Sequence, residues 1–306
     1  MTPPDTTRDA ADSTAAGTLV RKYVQEEALV TDWRPVSETT QAVTARWPRN
    51  HSFYIEDGRY SSLLLTESLR QALALLTHTV HDIPLTHRLG WERIRSTVDP
   101  GALSTGPGRA EVELLVTHTQ VRRRRMGSVQ LSSDVRATLA GRPIGTASLQ
   151  YSTHPPAIYN RLRGSYADAA SAFARAFPLT PAVPAAQVGR SDAGNVVLSP
   201  APGTHTWQLR VDTSHRVLFD HPHDHIPGMV LLEAAAQAAQ AAAAPRAVAP
   251  VAFDTTFHRY VEFDRPCLLS AAPFVQEDGG LMSTTVDARQ GELAVFSSRV
   301  TVQPLR

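Results

Sequence analysis

The chain has 306 residues, 42% of them hydrophobic, more than one ordinary core takes and enough for two of moderate size. Its 30 basic residues against 29 acidic ones leave a formal charge of +1, so no global field marks a nucleic-acid or membrane-surface binder, and neither partner is expected. The single cysteine, Cys267, excludes an internal disulfide and suits a reducing, cytoplasmic setting, while the single lysine, Lys22, all but excludes Schiff-base and P-loop chemistry.

Residues 1–17 are acidic, small and polar, without a basic start or an apolar run, and read as a disordered tail. A lead strand is predicted over Val20 to Trp33 and a second near Gln41 to Trp47, followed by a loop and a long apolar helix around Leu63 to His78. Alternating runs predict strands at Glu111 to Val121, Ser128 to Thr138 and Pro143 to Tyr151. Tyr159 to Phe177 has helical spacing and is expected to pack on the surface as a connector, with no further role. Prolines 178, 181, 184, 200 and 202 with glycines 189, 194 and 203 then mark a linker to about Thr206. Beyond it come a strand at Trp207 to Val211, a histidine-rich loop, an alanine-rich helix from Gly228 to Ala244, and strands at Leu281 to Ala288 and Leu293 to Val302. That helix is short for a bilayer and carries Glu233, so it reads as buried in a soluble protein.

The two sides of the linker repeat each other. An offset of 166 places Leu65, Glu67, Gln71 and Ala72 on Leu231, Glu233, Gln237 and Ala238, Arg93 on Arg259 and Pro100 on Pro266; an offset of 164 places His51 on His215. One helix followed by a meander of strands, twice over, predicts an α+β fold of two hotdog domains, each an antiparallel sheet wrapped round a central helix, forming a pseudo-dimer within one chain. The expected bounds are 18–158 for the first domain, 159–203 for the connector and linker, and 204–306 for the second.

Each helix carries a polar stripe where an enclosed helix should have none: Glu67, Gln71 and His78 with Arg70 beside them, and Glu233, Gln237 and Gln240. A buried carboxylate costs several kcal/mol unless paired, so the stripes read as sites, with structural pegs to the sheet as the alternative. Ahead of the second helix, His221, His223, Asp224 and His225 end at Pro227 and Gly228. No closing fourth ligand is evident, so no metal is expected; one imidazole is expected to orient or protonate a substrate, and the Gly228 and Met229 amides to face a carbonyl or phosphate.

The segment Asp224-His225-Ile226-Pro227-Gly228-Met229-Val230-Leu231-Leu232-Glu233, with Trp47-Pro48-Arg49-Asn50-His51 and Thr66-Glu67-Ser68-Leu69-Arg70-Gln71, resembles the A-factor synthase (AfsA-like) family of γ-butyrolactone autoregulator biosynthesis, over roughly Val20 to Gln303. The resemblance implies an acyltransferase that joins a β-ketoacyl group, delivered by acyl carrier protein or coenzyme A, to dihydroxyacetone phosphate, the ester then closing to a butenolide or furan, with no cofactor. Pairing of the two halves would bring Glu67 as base and Arg70 as phosphate ligand to His225 as orienter or acid, with Gln71, His221, His223, Asp224, Gly228 and Met229 around them. The reciprocal site would hold Glu233, Gln237 and Arg59, and is expected to be the less well equipped, because Ala236 stands where the family commonly has arginine. Arg122, Arg123, Arg124 and Arg125 are expected either to dock an acidic carrier protein or to guard a strand end. The rival readings are a dehydratase or thioesterase on the same scaffold, or a non-catalytic ligand-binding protein, as a monomeric pseudo-dimer or a homodimer.

Overall fold

The computed structural model describes residues 17–305, so the expected tail lies, Gly17 apart, outside the described residues. The first half runs β1 (Val30–Pro35), β2 (Thr40–Trp47), the short pair β3 (Ile55–Glu56) and β4 (Arg59–Tyr60), helix α1 (Leu63–Thr79), then β5 (Arg88–Val98), β6 (Ala110–Arg123), β7 (Val129–Leu139) and β8 (Arg142–His154). Helices α2 (Pro156–Arg163) and α3 (Ala169–Ala174) connect it to β9 (Leu198–Pro200), β10 (Thr206–Leu209), α4 (Gly228–Ala243), β11 (Val248–Phe257), β12 (Leu268–Ala271), β13 (Val275–Gln276), β14 (Met282–Gln290) and β15 (Leu293–Pro304).

The strands form one thirteen-stranded sheet in the order β1-β2-β6-β7-β8-β5-β11-β15-β14-β12-β10-β9, with β13 on β14. Its middle is the antiparallel pair β5 and β11, where Thr97 faces Ala252 and Arg93 faces Thr256, so the two hotdogs share a continuous ladder. Both helices are enclosed by this sheet and touch each other. In α4 the small alanine side chains let the strands approach, which is why an uncharged, nearly all-alanine face is stable there.

The doubled hotdog anticipated from the repeat is the architecture observed, and the paired histidines explain part of it. His51 Nδ1 accepts from the Phe53 and Tyr54 amides at 3.0 Å, and His215 Nδ1 accepts from the Leu218 amide at 3.2 Å, so each imidazole fastens the loop entering its half's helix. Gln71 and Gln237 are likewise equivalent. Gln71 accepts the Leu29 amide at 2.7 Å and donates to the Glu27 carbonyl at 2.7 Å; Gln237 accepts the Val197 amide at 2.9 Å and donates to the Asn195 carbonyl at 2.8 Å. Satisfying the Glu27–Leu29 backbone from α1 is why the first strand starts at Val30 rather than near Val20. The linker also holds more order than its composition suggests, since Leu198–Pro200 pairs with β10.

Close approach of β8 to α1 requires a glycine. A Cβ on Gly145 would lie 2.4 Å from the Thr97 carbonyl oxygen and 2.9 Å from Leu65 Cδ2. Gly145→Ala is expected to cost about 1–3 kcal/mol, seen as a lower urea midpoint; an unchanged midpoint would contradict the close packing.

Candidate functional site

Between the halves lies a cavity of about 720 Å³. Its walls come from α1 (Glu67, Arg70, Leu73, Ala74), the segment before β1 (Arg21, Lys22), β5 and β8 (Trp91, Tyr151), the histidine loop (Asp220 to Gly228) and the turn after β11 (Arg259 to Glu262). Helix α1 of the first hotdog thus meets the histidine loop of the second, the composite arrangement that pseudo-dimer pairing would produce.

Glu67 is buried, and its carboxylate is saturated. Arg70 donates from Nε and Nη2 to its two oxygens at 2.8 Å each, Gln71 Nε2 donates at 2.8 Å, and Lys22 Nζ lies 3.3 Å away. Burial opposes ionisation, but the Arg70 and Lys22 charges and the donors on Arg70 and Gln71 outweigh it and hold the carboxyl at about 2. A group so acidic and so fully occupied is a poor proton acceptor at neutral pH; its chemistry is to fix Arg70 and Lys22.

The histidine loop holds two aspartate–histidine pairs. Asp220 Oδ1 lies 2.7 Å from His221 Nδ1, and Asp224 Oδ1 lies 3.1 Å from His225 Nδ1. Burial opposes the charge on Asp224, yet the hydrogen bond and charge of His225, the Tyr159 hydroxyl and Arg163 together hold its carboxyl well below the usual range. An ionised carboxylate only accepts, so Nδ1–H donates to Asp224, the tautomer that turns the His225 Nε2 lone pair outward. His223, with no hydrogen-bond partner among the described residues, is driven down to about 3 by burial and then by its neighbours His221 and His225, and stays neutral. Ligating atoms of Asp220, His221 and His223 all lie within 4.8 Å of one another, a closer grouping of donors than the loop's spacing suggested.

Helix α4 begins at this loop, and the amides of Gly228 and Met229 have no intrahelical acceptor and belong to residues lining the cavity. A Cβ on Gly228 would sit 3.0 Å from Trp91 and 3.2 Å from Phe257, so glycine lets the helix end reach the apolar wall.

The connector corrects the sequence reading. It is two helices, broken at Gly164 (φ +56°), and it does more than pack. From α2, the Tyr159 hydroxyl donates to Asp224 Oδ2 at 2.5 Å. Arg163 Nε donates to the same oxygen at 3.0 Å, and Arg163 Nη1 and Nη2 grip Glu262 at 2.7 and 2.8 Å. The Arg163 guanidinium also lies 4.3 Å over the Tyr260 ring. Nothing local in sequence signalled these residues, since their partners lie 61 to 99 positions away.

Several expected site residues lie elsewhere. Gln71, Gln237, Glu233 and Arg59 do not line the cavity. Gln71 and Gln237 are pegs to the backbone, the alternative their burial left open. Glu233 is paired inside the protein with Arg190 from the linker, whose Nη2 and Nε lie 2.5 and 3.1 Å from Oε1, and Gln237 donates to the same oxygen at 2.6 Å. The guanidinium absent at Ala236 therefore arrives from a different part of the chain. Arg59 sits on β4, bridged to Ser104. Arg122 to Arg125 are exposed at the end of β6, where Arg123 donates to the His81 carbonyl at 2.6 Å.

Among the described residues no helix is long and apolar enough to cross a membrane. Relatives share most of the length of the chain. The 2-oxo-3-(phosphooxy)propyl 3-oxoalkanoate synthase of Streptomyces virginiae is 37% identical over 287 residues, 93% of this chain and 96% of that one. The synthase of the same name from Streptomyces coelicolor is 36% identical over 282 residues, 91% and 88% of the two chains. An acyl-ACP thioesterase from Bacteroides thetaiotaomicron superposes with a TM-score of 0.51 at 13% identity, over 86% of this chain and 98% of that one, a likeness of fold alone. The model of the A-factor biosynthesis hotdog domain matches residues 5–155 and 171–305, once in each half, and the chain belongs to the AfsA family.

Proposed function

We propose that this enzyme joins a 3-oxoacyl group, delivered as a thioester, to the hydroxyl of dihydroxyacetone phosphate, giving a 2-oxo-3-(phosphooxy)propyl 3-oxoalkanoate, the product for which its relatives are named. The observation that carries this reading is the meeting, in one cavity, of an aspartate-held imidazole, the open amino end of a buried helix, guanidinium groups and an apolar wall.

His225 Nε2 takes the proton from the hydroxyl, and the oxygen attacks the thioester carbon. The negative charge that develops on the carbonyl oxygen faces the Gly228 and Met229 amides, donors fixed before the reaction begins. Collapse expels the thiolate, which recovers the proton from His225. Arg70, tied to Glu67 through Nε and Nη2, keeps Nη1 for the phosphate, and Leu73, Ala74, Leu89 and Val295 offer the acyl chain an apolar bed. The primary test is mass spectrometry of the protein incubated with a 3-oxoacyl thioester and dihydroxyacetone phosphate. A phosphorylated ester is the expected product; free 3-oxo acid without it would make the protein a thioesterase.

The carrier is acyl carrier protein, and the arginine hairpin supports it. Residues 122–125 are exposed, and at the hairpin's base Ser128 Oγ bonds His154, a cavity-lining residue, at 2.9 Å, so an acidic protein gripping these arginines would stand beside the cavity. Replacing Arg122, Arg124 and Arg125 with serine is expected to raise KM for a carrier-bound substrate about tenfold while leaving KM for a short N-acetylcysteamine thioester in place. Equal shifts for both substrates would remove the docking role.

A further inference from the structure

Three of the cations lining the cavity, Arg21, Arg88 and Arg259, have no counter-ion among the described residues. Arg88 and Arg259 are exposed, where an arginine without a carboxylate is ordinary, but Arg21 is half-buried in the cavity wall. Fixing an arginine in that position is costly. Arg21 sits on left-handed backbone (φ +56°), a conformation that disfavours a side chain, and its Nε is buried without any partner. Its Nη2 is held by the His87 carbonyl at 2.6 Å and the Leu85 carbonyl at 3.1 Å, with His78 Nε2 at 3.3 Å, so the guanidinium is aimed before any ligand arrives. Its surroundings are the reverse of stabilising: burial, and then the like charges of Arg88 and Arg70, bring Arg21 down to about 10. A structural arginine would be expected to have a carboxylate here, as Arg163 and Arg190 do.

We infer that Arg21, Arg88 and the free edge of Arg70 form a cradle for a phosphate monoester dianion, and that this cradle holds the phosphate of the three-carbon substrate. The inference rests on the condensation reading for the identity of the ligand but not for the existence of the site. A dianion would relieve the repulsion among the three guanidinium groups and give half-buried Arg21 the charge-assisted hydrogen bonds and the counter-charge it lacks. It would also set the geometry of the reaction. The hydroxyl of dihydroxyacetone phosphate lies at the far end of a three-carbon chain from its phosphate, so an anchored phosphate leaves that hydroxyl reaching toward the histidine loop. Coenzyme A offers phosphates too, and is the competing source of the same chemistry.

Isothermal titration of the full chain with glycerol 3-phosphate, dihydroxyacetone phosphate, dihydroxyacetone and coenzyme A separates these cases without any turnover. Binding of both phosphate monoesters, none of dihydroxyacetone, and a tenfold or greater weakening in Arg21→Gln and in Arg88→Gln is the expected result. Arg88→Gln is the control should Arg21→Gln fail to fold, because the exposed Arg88 side chain, unlike that of Arg21, makes no hydrogen bond among the described residues. Monoester affinity unaltered in a folded Arg88→Gln, or monoesters no tighter than dihydroxyacetone, would overturn the cradle. Coenzyme A binding that depends on these arginines, with no monoester binding, would overturn its assignment to the three-carbon substrate. Monoester binding by a protein that forms no ester would leave the cradle standing and remove the condensation instead.

Discussion

Glu233→Gln is expected to destabilise the protein by about 2–4 kcal/mol, because it leaves a buried arginine with only the distant, partly exposed carboxylate of Glu56. Arg190 and Glu233 side chains are 6% and 3% exposed, and the guanidinium is otherwise committed to the Phe53 carbonyl at 2.6 Å and the face of the Phe53 ring at 4.6 Å, with the more exposed Glu56 carboxylate only at 3.8 Å. It therefore cannot turn to water when its carboxylate is neutralised, and it cannot shed its proton. The loss is one of pairing, not of shape, since glutamine fills the same volume. Replacing both partners, Arg190→Met with Glu233→Gln, is expected to recover most of the stability, because no uncompensated charge is then left inside. Urea denaturation of the wild type, both single variants and the double variant forms the cycle. If Glu233→Gln unfolds at the wild-type midpoint, the pair is not a closed internal contact and the second half retains an open polar site.

The largest expected effect on turnover is at His225. His225→Asn should lower kcat by about 10²–10⁴-fold with little change in KM for dihydroxyacetone phosphate, the signature of a lost proton acceptor with binding left in place. Tyr159→Phe tests the same machinery one step removed. The hydroxyl shares Asp224 Oδ2 with Arg163, so its loss leaves the carboxylate charged but less firmly placed, and a smaller fall in kcat, about tenfold, is expected. Single-turnover rates measured beside circular dichroism check both. Full activity in a folded His225→Asn would move the base to the Asp220–His221 pair, which is built in the same way.

What the sequence disclosed was whatever recurs or lies close along the chain. The offset of 164 that aligned His51 with His215 corresponds to two imidazoles doing the same work, and the polar stripe on each helix corresponds to a glutamine peg next to a paired glutamate. The two central strands escaped notice although they join the halves. β5 opens with four charged residues among its first eight, and β11 opens on Val248-Ala249-Pro250 and is bulged between Pro250 and Ala252, so neither shows the apolar alternation by which a strand is recognised. The charge partners escaped for another reason. Lys22, Tyr159, Arg163 and Arg190 come from stretches that look like ends and connectors, and only the fold brings them to Glu67, Asp224 and Glu233. Glu67 looked like a base because the sequence shows that a carboxylate is buried but not how many donors surround it.

The continuous ladder through β5 and β11 makes one molecule of what could have been two identical subunits, and covalent union has a genetic consequence. In a symmetric homodimer every substitution is made twice, so a histidine loop or an internal arginine would appear on both sides at once. Here the halves mutate independently. One side has gathered imidazoles and, among the described residues, cations without counter-ions around its cavity, while the other has sealed its glutamate with Arg190. Divergence of this kind, an open composite cavity at one junction of the halves and a sealed ion pair at the other, is closed to a dimer of identical subunits.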